Sequence, residues 1–218
     1  MIQRRTSRKS LADAPVNTKI VERFYQTRAI RRIGEAFEKD RDRKALVVMA
    51  TGAGKTRTVI ARCDLLMRCN WAKRVLFLAD RKALVRQAVG AFNTHLPDAA
   101  PVNLVTEKDQ EGRVFVSTYP TMMGLIDETK DGQRRFGVGH FDLVIIDEAH
   151  RSVYQKYRAI FEYFDSLLVG LPRRPRTRST STPTGSSISS AACRRTLTDW
   201  TTRSRTAFSC PPRRCRCR

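Results

Sequence analysis

The 218-residue chain has room for one good-sized domain or two small ones, and a 41% hydrophobic share permits a buried core. Its net charge of +21 comes from 42 basic and 21 acidic residues, and twelve of the basic but one of the acidic lie in residues 172–218. There is no 18-residue apolar run, and the opening MIQRRTSRKS lacks an apolar core, which excludes a membrane-spanning helix and a signal peptide; a cytosolic, cytoplasmic protein is expected. A basic excess fits a polyanionic partner such as DNA, although charge alone speaks only to solubility and non-specific attraction. Cys63 and Cys69 suit the role of small apolar thiols, and Cys193, Cys210, Cys215 and Cys217 show no trustworthy zinc spacing.

Residues 1–18 are polar and basic without periodicity and are expected to form a flexible lead-in. From Ile20 to Lys39 apolar residues recur at helical spacing, and this segment contains Arg23-Phe24-Tyr25-Gln26. A Gln amide offers a donor and an acceptor that match an adenine edge, and Tyr25 could lie against the ring; a helix with a polar face is the plainer alternative. Ala45-Leu46-Val47-Val48 then reads as a strand leading into Met49-Ala50-Thr51-Gly52-Ala53-Gly54-Lys55-Thr56 and a helix to about Arg68. Gly52 and Gly54 let the backbone curl so that successive N–H groups face an anion, with the helix N-terminus adding partial positive charge. In that loop, Thr51 to Thr56, Lys55 would reach the β- and γ-phosphates of a nucleotide and the Thr56 hydroxyl would sit on Mg²⁺. Met49 stands where such loops usually open with Gly, and a Gly-rich turn before an ordinary helix is the alternative.

Arg74 to Ala79 reads as a second buried strand, with Asp80 as N-cap of a helix from Arg81 to Phe92. Arg81, Lys82 and Arg86 cluster at this strand's carboxyl end, where they could meet a phosphate backbone or simply face solvent. Further strands are expected at Asn103–Val105 and Arg113–Ser117, the latter running into the hydroxyl-rich loop Thr118-Tyr119-Pro120-Thr121 and a short helix at Met122–Ile126. Asp127 to Gly139 reads as a surface loop. Leu143-Val144-Ile145-Ile146 suits a strand buried on both faces, and it ends in Asp147-Glu148. Asp147 would hold Mg²⁺ at the strand's carboxyl end and Glu148 would polarise the attacking water. A helix at Tyr154–Phe164 and a strand at Ser166–Leu171 follow. This alternation gives an α/β fold with a mostly parallel, doubly wound sheet.

Together these segments resemble the first RecA-like motor domain of superfamily-two helicases, most closely the motor (R) subunit of type I restriction enzymes. The resemblance rests on Arg23-Phe24-Tyr25-Gln26, MATGAGKT, Leu78 to Ala88, Ser117-Thr118-Tyr119 and Asp147-Glu148-Ala149-His150-Arg151-Ser152, and covers roughly residues 20–171. It implies a P-loop NTPase domain over 19–171 belonging to an ATP-driven translocase of double-stranded DNA, with ATP and Mg²⁺ as cofactors and the specificity and methylation subunits of a restriction complex as partners. Lys55 and Thr56 carry over as phosphate and Mg²⁺ ligands, Asp147 as the Mg²⁺ residue and Glu148 as the water activator. Ser117, Thr118 and Tyr119 become a DNA-contacting loop, and His150 couples nucleotide state to it. The family's upstream nuclease domain and second RecA-like domain have no counterpart here, so no DNA cleavage and weak turnover are expected.

After Leu171 the family's Thr-Ala-Thr-Pro segment is replaced by Pro172-Arg173-Arg174-Pro175. The tail, 172–218, holds seventeen Ser or Thr, no Lys and no Glu, and is expected to be basic and disordered. It reads as out-of-frame translation, since codons for Arg178–Ser187 and Ser204–Pro212 can be chosen that give family-like sequence one frame over. Alternative readings are an inactive degenerate gene product, the motor of a type III restriction or repair helicase, or a basic nucleic-acid-binding protein.

Overall fold

Alternating apolar segments and short polar breaks assemble into one twisted sheet with helices on both faces. A computed structural model describes residues 7–50, 52–107, 109–130, 132–149 and 151–172, with the backbone of Ala207–Ser209. Helix α1 (Phe24–Glu38) precedes β1 (Lys44–Val48) and α2 (Lys55–Arg68); β2 (Val75–Ala79), α3 (Lys82–His95), β3 (Pro101–Asn103) and β4 (Val114–Thr118) follow. Then come α4 (Tyr119–Asp127), a small antiparallel pair β5 (Thr129–Lys130) and β6 (Gln133–Arg134), β7 (Leu143–Asp147), α5 (Arg151–Lys156), α6 (Arg158–Tyr163) and β8 (Leu167–Leu171). The main sheet runs β3-β4-β2-β7-β8-β1, with β9 (Ala207–Ser209) beside β1, and every pairing in it is parallel.

The two-residue period of the strands divides the core. Val75, Phe77, Leu143 and Ile145 face α1, α2 and α3, whereas Leu76, Leu78, Val144 and Ile146 face α4, α5 and α6. Burying one such aliphatic side chain contributes about 1.5–3 kcal/mol, so these runs explain why the sheet forms with both faces covered. Register aligns Ala79 with Thr118 and Asp147 with Leu171. The carboxyl ends of β1, β2, β4, β7 and β8 therefore share one edge of the sheet, where open α/β folds bind ligands.

Several local expectations are corrected. The lead-in is packed from Ser7 onward: Leu11 is buried, its N–H donates to Glu38 Oε2 at 3.0 Å, and Arg31 donates to the Leu11 and Ala12 carbonyls. Ile20 and Val21 are buried ahead of α1 from a turn in which Asn17 accepts the N–H groups of Lys19, Ile20 and Val21. Asp80 does not cap α3. The chain stays extended one residue further, Arg81 takes the N-cap position, and exposed Asp80 lies 3.6 Å from Arg81. Tyr157 divides the expected single helix into α5 and α6. The expected loop at 127–139 contains the β5–β6 pair. In the tail, expected to be disordered, the backbone of Ala207–Ser209 lies parallel to Leu46–Val48; residues 173–206 and 210–218 lie outside the described residues. Among the described residues no helix is long and apolar enough to cross a membrane.

Candidate active site

The loop after β1 has the conformation its glycines permit. Gly52 and Gly54 have φ of +77° and +78°, a region that costs other residues about 1–2 kcal/mol. Gly54 is the N-cap of α2, and the first N–H to bond within the helix is that of Thr58, to Gly54 O at 3.0 Å. The first turn's preceding N–H groups have no intrahelical acceptor and point out of the helix end, where the dipole favours an anion. Met49, standing where Gly is usual, is fully buried in the core. Thr56 is half-buried at the helix start. Thr51 lies outside the described residues.

Tyr25 and Gln26 meet the loop differently from the sequence expectation. Gln26 is 3% exposed, and its Nε2 donates to Ala53 O at 3.2 Å and Gly54 O at 3.3 Å. Its Oε1 accepts the N–H of Arg23 at 3.4 Å. The Tyr25 hydroxyl donates to Ala53 O at 3.1 Å and accepts from Arg23 at 2.7 Å. In this arrangement the amide is committed to the loop's own carbonyls instead of a free base edge, so both residues brace the loop. Their neighbour Phe24 is 77% exposed.

Lys55 and Asp147 come to the same edge. Burial and the adjacent Glu148 carboxylate push the Asp147 carboxyl above its ordinary range, and the Glu148 N–H and the Lys55 ammonium oppose that push. The Glu148 N–H donates to Asp147 Oδ1 at 3.1 Å, and Glu148 itself adopts a left-handed φ of +54°. Lys55 Nζ donates to the carbonyl of Pro172 at 3.2 Å, so the chain leaving β8 crosses beside the loop that follows β1. His150 lies outside the described residues.

The expected DNA contacts divide. Arg81, Lys82 and Arg86 are exposed at the carboxyl end of β2 and the first turns of α3. Ser117, Thr118 and Tyr119, expected in a DNA-contacting loop, are buried. Thr118 Oγ1 instead caps α4 by accepting the Thr121 N–H at 3.3 Å. The Tyr119 hydroxyl donates to the carbonyl of Asp147. That link, like the one from Lys55 to Pro172, joins residues far apart in sequence and has no signature in either segment.

A family model described as the type III restriction enzyme res subunit matches residues 19–172. The chain belongs to that family. Among curated relatives, this res-subunit chain is 30% identical to the type I restriction enzyme EcoKI endonuclease subunit of Escherichia coli K12, over 75% of the chain and 16% of the relative. It is 34% identical to the EcoAI endonuclease subunit of Escherichia coli, over 71% of the chain and 19% of the relative. The chain thus spans less than a fifth of either. The fold is shared with the Hef helicase domain of Pyrococcus furiosus, at TM-score 0.55 and 23% identity over 78% of this chain and 36% of that one. It is shared also with the SWI2/SNF2 ATPase core of Sulfolobus solfataricus, solved with double-stranded DNA, at TM-score 0.56 and 17% identity over 75% of this chain and 33% of that one. The res-subunit region, residues 19–172, therefore has the α/β fold of these helicase and ATPase domains.

Proposed function

We propose that this domain binds ATP with Mg²⁺ at the carboxyl edge of its sheet and couples hydrolysis to movement on double-stranded DNA, as the motor part of a type I restriction system working in the cytoplasm with specificity and methylation subunits. The observation that carries the reading is that Lys55 Nζ bonds the carbonyl of Pro172, one residue beyond Leu171, the register partner of Asp147, beside a loop opened by two left-handed glycines at a helix N-terminus. The residues fit the cofactor. Asp147 is a half-buried carboxylate crowded by Glu148, an arrangement that a cation relieves, and the loop's helix end faces an anion.

In this reading Thr51 to Thr56 cradle the phosphates, with Lys55 on the β- and γ-phosphates and Thr56 and Asp147 on the metal. The bound ion would neutralise charge on the phosphates. Glu148 orients and polarises the water, Tyr25 and Gln26 hold the loop in shape, and His150 links the site to the DNA side. Arg81, Lys82 and Arg86 supply phosphate-backbone contacts. Before the nucleotide is held, Lys55 must exchange the Pro172 carbonyl for phosphate oxygens.

Thermal melting of the full chain tests this. ATP with Mg²⁺ at a hundred times its Kd stabilises by about 2.7 kcal/mol, which raises Tm by roughly 5–11 °C for a chain of this size. Lys55→Ala should remove most of that rise. No rise in the wild type, or an equal rise in Lys55→Ala, overturns the reading.

A further inference from the structure

The peptide group between Asp147 and Glu148 is held at both ends. Its N–H donates to the Asp147 carboxylate at 3.1 Å, and its C=O accepts from the Tyr119 hydroxyl. On its far side Glu148 holds φ at +54°, and the Ala149 N–H donates to Leu171 O at 3.2 Å. A peptide leading into a left-handed residue relaxes by rotating about its flanking dihedrals, and such a rotation would carry the Asp147 carboxylate with it. The Tyr119 side chain bonds that carbonyl from across the sheet's edge.

Tyr119 is itself built into a different part of the sheet. It opens α4 directly after β4, is fully buried, and follows the Thr118 cap, whose hydroxyl lies 2.8 Å from that of Thr121. Its ring stacks on Tyr157 at 5.1 Å and 17°, and meets Phe161 edge-on at 6.5 Å. Tyr157 occupies the break between α5 and α6, the helices that follow the Asp147–Glu148 segment. One residue thus ties the corner between β4 and α4 to the end of β7 and to the helix pair beyond it. Burial and the carboxylates of Asp147, Asp80 and Glu148 raise the Tyr119 phenol above its ordinary pKa, so it remains a donor throughout the neutral range.

We propose that Tyr119 is a positioning residue, which through the Asp147 carbonyl sets the Asp147 carboxylate for the metal-bound nucleotide and makes that setting depend on the corner between β4 and α4. The inference rests on the nucleotide reading above. It replaces the expected role of Tyr119 as a DNA contact with an internal one.

Tyr119→Phe in the full chain removes the hydroxyl and keeps the ring. Two measurements follow: the affinity for ATP by equilibrium dialysis with Mg²⁺ and with EDTA, and amide exchange over Leu143–Ala149 without nucleotide. Losing one positioning hydrogen bond should lower the ratio of the two affinities about tenfold, leave the affinity in EDTA within about twofold, and speed exchange in the segment. A merely structural role would lower Tm and reduce both affinities in parallel, and that result overturns the proposal. Tyr157→Leu removes the ring against which Tyr119 stacks and leaves the hydroxyl in place; it should shift the ratio the same way by a smaller factor. An unchanged ratio in either variant, with Lys55→Ala binding weakly, refutes the role of Tyr119 alone. If Lys55→Ala binds as the wild type does, the nucleotide reading has failed and this inference falls with it.

Discussion

Gly54→Ala probes the fit between the glycine-rich loop after β1 and α1. A Cβ at this position would lie 2.4 Å from Gln26 Nε2, and the residue would have to keep φ at +78°. The left-handed backbone costs about 1–2 kcal/mol. Gln26 could swing away, since the clashing atom is the far end of a flexible chain, but it would then lose its bonds to Ala53 O and Gly54 O, each contributing about 0.5–1.5 kcal/mol. The sum is a destabilisation of about 2–5 kcal/mol. Gln26→Ala alone should cost less, about 1–3 kcal/mol, because Gly54 O keeps both Thr58 bonds and Ala53 O keeps Tyr25. In the double variant the clash is gone and the lost bonds are counted once, so the total should fall short of the two single effects added by about 1–3 kcal/mol. Urea denaturation at 25 °C followed by circular dichroism measures all three. Additivity within about 0.5 kcal/mol would refute the claim that Gln26 grips the loop.

Arg62 is 2% exposed and lies over the Phe37 ring at 5.5 Å, its Nε and Nη2 lack hydrogen-bond partners among the described residues, and Nη1 makes only a 3.5 Å bond to Ile30 O; burial pushes its guanidinium down to about 9. Arg62→Met keeps most of the volume and drops the charge, so Tm should hold or rise, whereas Arg62→Ala opens a void and should cost about 2–5 kcal/mol by denaturant titration. His140, packed against Phe115, Phe136 and Phe141, is pushed down from 6.5 to about 4 by burial and then by Arg74, although Asp142 opposes. A base with a lowered folded pKa binds fewer protons than the unfolded chain, so its contribution is intact above pH 6.5 and is lost as pH falls towards 4. Urea midpoints at pH 7 and pH 5 should differ less in His140→Phe than in the wild type. Replacing Arg81, Lys82 and Arg86 together by Ala should flatten the salt dependence of DNA binding by up to about 2.7 in log–log slope, while Ser117→Ala leaves it unchanged in the same fluorescence titration.

The five central strands were legible because buried parallel strands are written as short continuous apolar runs, as at Val75–Ala79 and Leu143–Ile146. The loop glycines and Lys55 were legible because only certain residue types permit that turn. Burial of polar residues was not. Ser117 and Thr118 carry hydroxyls that suit a backbone contact equally well inside or outside, and only the pairing of β4 with β2 and β3 decides that they are covered. Gln26 has the right chemistry for a base edge, but the loop folds back over it and takes its donors first. The lead-in misled for another reason: its contacts are mostly backbone groups held by distant side chains, which composition does not reveal.

The limits of a sequence family and of a folding unit need not coincide. The family match opens at residue 19, yet Leu11 already sits beneath α1, Pro15 O accepts from Arg68 at 2.8 Å, and Lys9 O accepts from the Trp71 indole at 2.9 Å. Leu11 Cβ also lies 3.5 Å from where a Cβ on Gly34 would point, alongside the Arg62 guanidinium. Trimming an expression clone at the family boundary would therefore unroof the seam between α1 and α2, the two helices that carry Gln26 and Lys55. Any biochemical comparison among trimmed versions has to keep this strap to be measuring the proposed nucleotide site and not a loosened floor.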